Sequence, residues 1–254
     1  MSPPPEQPAH GGMMAAETVE RFGRPMRHFP VAVSAEAMAL AWANTENGPA
    51  GATVIVDTEI GPRGLHGRIW EIPQPQTLTF SVVLRPALSV EEASAAWLIA
   101  GLAAAEGAEN VAGRPLATWW PDEIVEVGET RERVGAVRAE IQLGPGKVKS
   151  AIATVRFDLA KLDLADHRDD LLEAVLAAFD GVSERLEEGA SAVAAAYEGR
   201  CALRGKRVKL RLLPKGETRG TAAHVDRSAR LELKSPSGMI EKIGVDQVAA
   251  LQIV

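Results

Sequence analysis

The sequence has a single cysteine, Cys201, in 254 residues. That excludes an internal disulfide framework and any cysteine-based zinc site. Long apolar runs are missing too. No stretch approaches the ~18 consecutive apolar residues of a membrane-spanning helix. A basic surplus is absent: 28 lysines and arginines stand against 34 aspartates and glutamates, for a net charge of −6. Such a balance argues against a general nucleic-acid binder. The N-terminus lacks a basic segment followed by an apolar stretch, so no secretory signal is expected and a cytoplasmic location is the default. His10, His28, His167 and His224 show no metal-ligand spacing, and no metal centre is expected.

What is present divides into three parts. Residues 1–28 begin with four prolines in eight positions and are expected to be a poorly ordered tail. Residues 29–200 carry the core-forming segments, and residues 201–254 read as a small antiparallel barrel. In the middle part, Ser34 caps a helix over 33–44, strands follow at 52–58 and 77–84, and an alanine-rich helix spans 90–107. Segments 133–143 and 149–158 read as a hairpin closed by Gly144-Pro145-Gly146. An amphipathic helix follows over 167–188, and another helical stretch over 190–199. In the last part, short strands are expected at 208–213, 218–225, 230–234 and 239–245. The fold class is therefore α/β: a mixed sheet of five to seven strands against helices, with a small C-terminal barrel.

Two motifs carry chemistry. The first is Arg63-Gly64-Leu65-His66-Gly67-Arg68-Ile69-Trp70, directly after a strand. Glycines let a backbone close on a ligand, and Arg63 and Arg68 can pair with a phosphate or carboxylate. Trp70 can wall a flat ligand, and His66 lies within the same turn. The bland reading is a hairpin loop with a core tryptophan. The second motif is Trp119-Trp120-Pro121-Asp122-Glu123. Of two adjacent tryptophans one is expected to pack and the other to face a surface or pocket, while the acids orient a polar ligand or a cation. The bland reading is a strand, a proline turn and solvated acids. Cys201 suggests a thioester mechanism only weakly; a small buried thiol is the simpler expectation.

In this order, the two motifs resemble those of the biotin–protein ligases, within the biotin/lipoate ligase superfamily. That family carries Gly-Arg-Gly-Arg-x-Gly-Arg-x-Trp after a strand, then Lys-Trp-Pro-Asn-Asp, then Lys-Leu-Ala-Gly-Ile-Leu, and ends in an SH3-like barrel. The resemblance covers residues 31–254, with Arg63, Gly64, Gly67, Arg68, Trp70, Trp120 and Pro121 matching. The departures are specific. Pro62 replaces a glycine, Leu65 an arginine and Trp119 a lysine, while Asp122 and Glu123 replace Asn-Asp. The catalytic lysine position falls on Glu132 in strict register or on Arg133 one residue later, with Arg131 nearby.

The resemblance implies ATP, biotin or lipoate, and Mg²⁺. It also implies a small acid and a nucleotide as ligands, a biotinyl or lipoyl carrier domain as partner, and self-association through a sheet edge. It places Arg63, Gly64, His66, Gly67, Arg68 and Trp70 on the acid and phosphate, and Trp119, Asp122 and Glu123 on the nucleotide. Arg131 and Arg133 are the candidates for the missing lysine's role. Two functions follow: adenylation of a cofactor carboxylate with transfer to a carrier lysine, or a non-catalytic protein of the same fold that binds an acid, a nucleotide or a carrier domain.

Overall fold

The computed structural model describes residues 17–62, 64–67, 76–128 and 131–254. Its first sheet has eight strands: β1 (Thr18–Arg21), β2 (Arg24–Ala32), β3 (Thr53–Glu59), β4 (Thr77–Leu84), β5 (Leu116–Trp119), β6 (Glu123–Glu126), β7 (Arg133–Gly144) and β8 (Lys147–Asp158). Their spatial order is β1-β2-β3-β4-β8-β7-β6-β5. Only β2 and β3 run parallel, joined through helix α1 (Ala35–Thr45); every other neighbouring pair is antiparallel.

The sheet exceeds the expected five to seven strands because residues 18–32 form β1 and β2, where the sequence reads as a tail to residue 28. The stretch Arg-Pro-Met-Arg-His-Phe-Pro-Val-Ala hides its strand character behind prolines and charges. Tertiary contacts overrule that. Met26 and Phe29 bury on opposite faces of the sheet, in its two separate clusters. Arg24 is 8% exposed, with its guanidinium 2.6 Å from Asp180 and donating to the carbonyl of Leu176.

One face of the sheet carries α1. Ser34 caps it as expected, accepting from the Ala37 N–H at 3.1 Å, and Trp42 and Ala39 pack on Val54, Val56, Val83 and Ile152. The other face carries α2 (Ala95–Ala112), α3 (Arg168–Glu187) and α4 (Ala190–Arg200). Helix α2 starts five residues later than the sequence suggests. Ser89 does accept from the Glu92 N–H, but 91–94 form a turn. The helix is buried round most of its circumference, which explains its alanine content: bulky residues leave no room between sheet and α3. It ends at Gly113, whose φ of +63° is glycine's natural conformation.

The chain then forms a five-stranded antiparallel sheet from β9 (Arg207–Leu212), β10 (Glu217–Val225), β11 (Leu231–Lys234), β12 (Ile240–Ile243) and β13 (Val248–Ile253), in the order β12-β11-β10-β9-β13. The last strand goes beyond the four expected, and the sheet closes no ladder between β12 and β13. Trp120 ties the two sheets together: its buried indole N–H donates to the Ala229 carbonyl at 2.9 Å. Among the described residues no helix is long and apolar enough to cross a membrane.

Candidate functional site

The glycine-rich loop leaves β3 at Glu59 and crosses the sheet toward β7. Of its sequence-predicted residues, Gly64, His66 and Gly67 are described; Arg63, Arg68 and Trp70 lie outside the described residues. His66 adopts φ 54°, ψ 34°, a left-handed conformation uncommon for a side-chain-bearing residue. Leu65 turns inward and is 7% exposed. It therefore contributes apolar contact where the family resemblance places an arginine, and no charge.

Leu65 meets the second motif. A small cavity of about 50 Å³ is bounded by Leu65, by Trp119 through Glu123, by Arg131 and by the start of β13. Both tryptophans are buried, Trp119 at 5% and Trp120 at 0%, and both line the cavity; neither faces the open surface. Packing explains the pair. Trp120 is claimed by the second sheet, and Trp119 is covered by the Arg131 guanidinium, 4.1 Å from its ring centroid. Arg131 also donates to Glu123 at 2.8 Å, and Arg133 approaches the same carboxylate at 3.7 Å. One carboxylate thus holds two guanidiniums at the edge of a cavity with room for a phosphate-sized group. Asp122 lies beside them in the cavity wall, and its backbone carbonyl accepts from the Val137 N–H at 2.8 Å. Glu132 points elsewhere, to Lys161 at 3.3 Å.

Cys201 sits at 8% exposure after α4, and burial pushes its thiol above the ordinary range. A thiol held neutral is a poor nucleophile. Native Cys201 is expected to resist iodoacetamide over a period that labels it fully in denaturant, as read by mass spectrometry; equally fast native labelling would contradict this burial.

On its other flank the loop rests on charge that the sequence reading missed. The Gly64 carbonyl accepts from Arg138 at 2.9 Å. Arg138 in turn meets Glu36 of α1 at 2.6 Å and Glu140 at 3.3 Å. Register places Arg138 opposite Thr154, and Thr154 opposite Ser81, so these share the face that carries α1, with Glu140 and Arg156 two residues along their strands. Arg156 forks onto Glu59 at 2.8 and 3.1 Å, and Glu59 also accepts from the Ala35 N–H at 2.8 Å. That pair is nearly dry, its side chains 8% and 4% exposed. Burial pushes the Glu36 carboxyl above the usual carboxylate range; Arg138 draws it down, and Glu140 adds to the rise. The available signal was an arginine at an inward position in each of two long strands, where an apolar residue is the ordinary choice.

No family model matches the chain. The bifunctional ligase/repressor BirA of Bacillus subtilis is 25% identical over 168 residues, covering 66% of this chain and 50% of that protein. Its counterpart from Bacillus spizizenii is 25% identical over 141 residues, or 56% and 42%. The chain spans about half the length of the curated relatives it matches. Among solved structures, a biotin protein ligase from Aquifex aeolicus in complex with biotin and ATP superposes with a TM-score of 0.70 at 19% identity, covering 90% of this chain and 99% of that one. A biotin protein ligase-like protein of unknown function from Silicibacter sp. TM1040 gives 0.67 at 15% identity, covering 88% and 95%. The chain has the biotin protein ligase fold, in both its mixed sheet and its C-terminal antiparallel sheet.

Proposed function

We propose that the protein holds a small carboxylic acid and ATP on the two sides of the glycine-rich loop and joins them as an acyl-adenylate, for transfer to the lysine of a carrier domain. The observation that carries this reading is the convergence of Arg131 and Arg133 on Glu123, which with Arg131 lines a cavity walled by the loop's own Leu65. A phosphate entering there competes with a resident carboxylate for two guanidiniums. In the reaction, a carboxylate oxygen of the acid bonds to the α-phosphorus as the bond to pyrophosphate breaks. The carrier amine then attacks the acyl carbon, AMP leaves and the amine loses a proton. Both steps need fixed positive charge more than covalent help. Arginine supplies it at every pH and engages phosphate in a bidentate manner, so Arg131 and Arg133 suit the role that lysine plays in the family resemblance. Asp122, in the cavity wall, has a carboxylate of the kind that helps hold Mg²⁺ beside substrate phosphates, whereas Glu123 is already engaged by Arg131 and Arg133. Biotin is what the Aquifex neighbour binds together with ATP, and it heads the acids to test, with lipoate next.

A second reading, binding without catalysis, is favoured by one feature: among the described residues lining the cavity there is no lysine. Exchange of labelled pyrophosphate into ATP separates the two. Acid-dependent exchange is expected, and Arg131→Ala is expected to lower it about 10²–10³-fold, the usual loss on removing one transition-state donor. ATP binding by calorimetry without exchange, across a panel of acids, selects the binder instead.

A further inference from the structure

A second cavity, of about 400 Å³ against about 50 Å³ beside Trp119, lies at the end of the first sheet away from the glycine-rich loop. It opens where β3 begins and β4 ends, beside Gly51 and Leu84, and the C-terminal half of α3 forms one side. The loop leaves the opposite end of β3. From Gly51 to Glu59 is roughly 26 Å of extended chain at ~3.3 Å per residue. The walls are apolar: Val82, Leu84, Ile99 and Phe179 belong to the main core, and Leu186 packs against it. An open space of this volume falls within the ~300–1,000 Å³ range of small-molecule sites.

Four charged residues line this cavity, and they are not alike. Arg24 is already engaged, its Nη2 lying 2.6 Å from Asp180 and donating also to the Leu176 carbonyl. Glu187 is exposed at the end of α3. Arg85 is held differently. Its Nη2 donates to the Gly48 carbonyl at 2.8 Å, to Asn47 Oδ1 at 3.2 Å and to the Ala43 carbonyl at 3.4 Å, and its Nη1 reaches the Lys149 carbonyl at 3.5 Å. All these acceptors are neutral, and no carboxylate among the described residues pairs with this guanidinium. Its position is fixed while its charge is left uncompensated, beside an apolar space. An oxyanion with an apolar body suits both features, since charge-assisted bonds to a pre-placed guanidinium cost little ordering. The Asp180 and Glu187 carboxylates in the same wall disfavour a second negative charge, as on a phosphate dianion or a dicarboxylic acid.

We propose that this cavity binds a medium-chain monocarboxylic acid, with its carboxylate on Arg85 and its apolar body against Val82, Ile99 and Phe179. The site is separate from the one proposed for adenylation, and either can fail without the other.

The test is calorimetry on the full chain with octanoate and with octanamide, which share a tail and differ in the charge of the head. Octanoate is expected to bind at least about tenfold more tightly, as a charge-assisted bond replaces a neutral one. Arg85→Gln is expected to abolish that preference. Ser183→Trp is expected to weaken both ligands at least about tenfold by filling the cavity. Ser183 is exposed and its hydroxyl donates only within α3, to the Phe179 carbonyl, so the variant loses no tertiary bond; thermal unfolding verifies that both variants fold. Octanoate and octanamide binding equally, or a preference that survives in Arg85→Gln, overturns the role of Arg85. Undiminished octanoate binding in Ser183→Trp overturns the placement in this cavity, and no binding of octanoate to the native chain overturns the proposal outright.

Discussion

Gly107→Ala is expected to destabilise the protein by about 3 kcal/mol, near the upper end of the overpacking range, lowering the unfolding midpoint by roughly 6–12 °C. The reason is where α2 crosses α3. A Cβ at residue 107 stands 2.4 Å from Val175 Cα, 2.7 Å from its nitrogen and 2.8 Å from the Ala174 carbonyl. All three are backbone atoms of a helix, so no rotamer change relieves the clash; α3 itself must move away from α2. The intrinsic gain from replacing a helical glycine, roughly 0.5–1 kcal/mol, is too small to offset this. Gly181→Ala supplies the control. That residue lies in α3, exposed, with nothing within 4 Å of the added Cβ, and the same substitution there is expected to stabilise by the same small increment. Thermal unfolding of both variants decides the matter. Opposite signs, with the larger effect at Gly107, support the close crossing, and a harmless Gly107→Ala refutes it.

That contrast shows what was legible in the sequence. Helical periodicity marked α3 with near-exact ends, because Leu171, Leu172, Val175, Leu176, Phe179 and Val182 bury on one side while the rest is wet. The β7–β8 hairpin was equally plain, since Gly146 takes a φ of +71° at its turn. Strand β2 was not, because its pairing to β3 is parallel and non-local and its burial is gained by partners far along the chain, with Asp180 satisfying Arg24. The site was half legible. Glycine spacing located the loop, and the Trp-Trp-Pro stretch located the cavity. Composition alone does not reveal that Leu65 points inward, that Arg131 covers Trp119, or that Arg138 and Arg156 face the same side of the sheet as α1. Those facts depend on strand register, and a one-residue slip would send each arginine to the opposite face.

Register is also what makes Arg156→Ala the more informative variant for the site. Its guanidinium is the bidentate partner of Glu59, and the substitution leaves that carboxylate 4% exposed with only the Ala35 N–H to hold it. Removing one partner of a buried pair is expected to cost about 3–5 kcal/mol, a fall of roughly 6–20 °C in the unfolding midpoint. Most of that loss reflects the stranded charge rather than the worth of the pair, so the double variant Glu59→Leu, Arg156→Met is expected to recover much of it. Chemical denaturation of Glu59→Leu, Arg156→Met and the double gives the coupling. A double variant that loses the full sum of the singles shows that the two residues act independently, against the geometry. The effect also has a direction in space. Glu59 fastens the first turn of α1 and is the last residue of the strand that feeds the loop, so Arg156→Ala should loosen both. Faster amide exchange is expected at residues 35–38 and 64–67, with little change in β9 to β13, which form the other sheet. Uniformly faster exchange across both sheets would mean that the pair supports the whole fold and has no special hold on the loop.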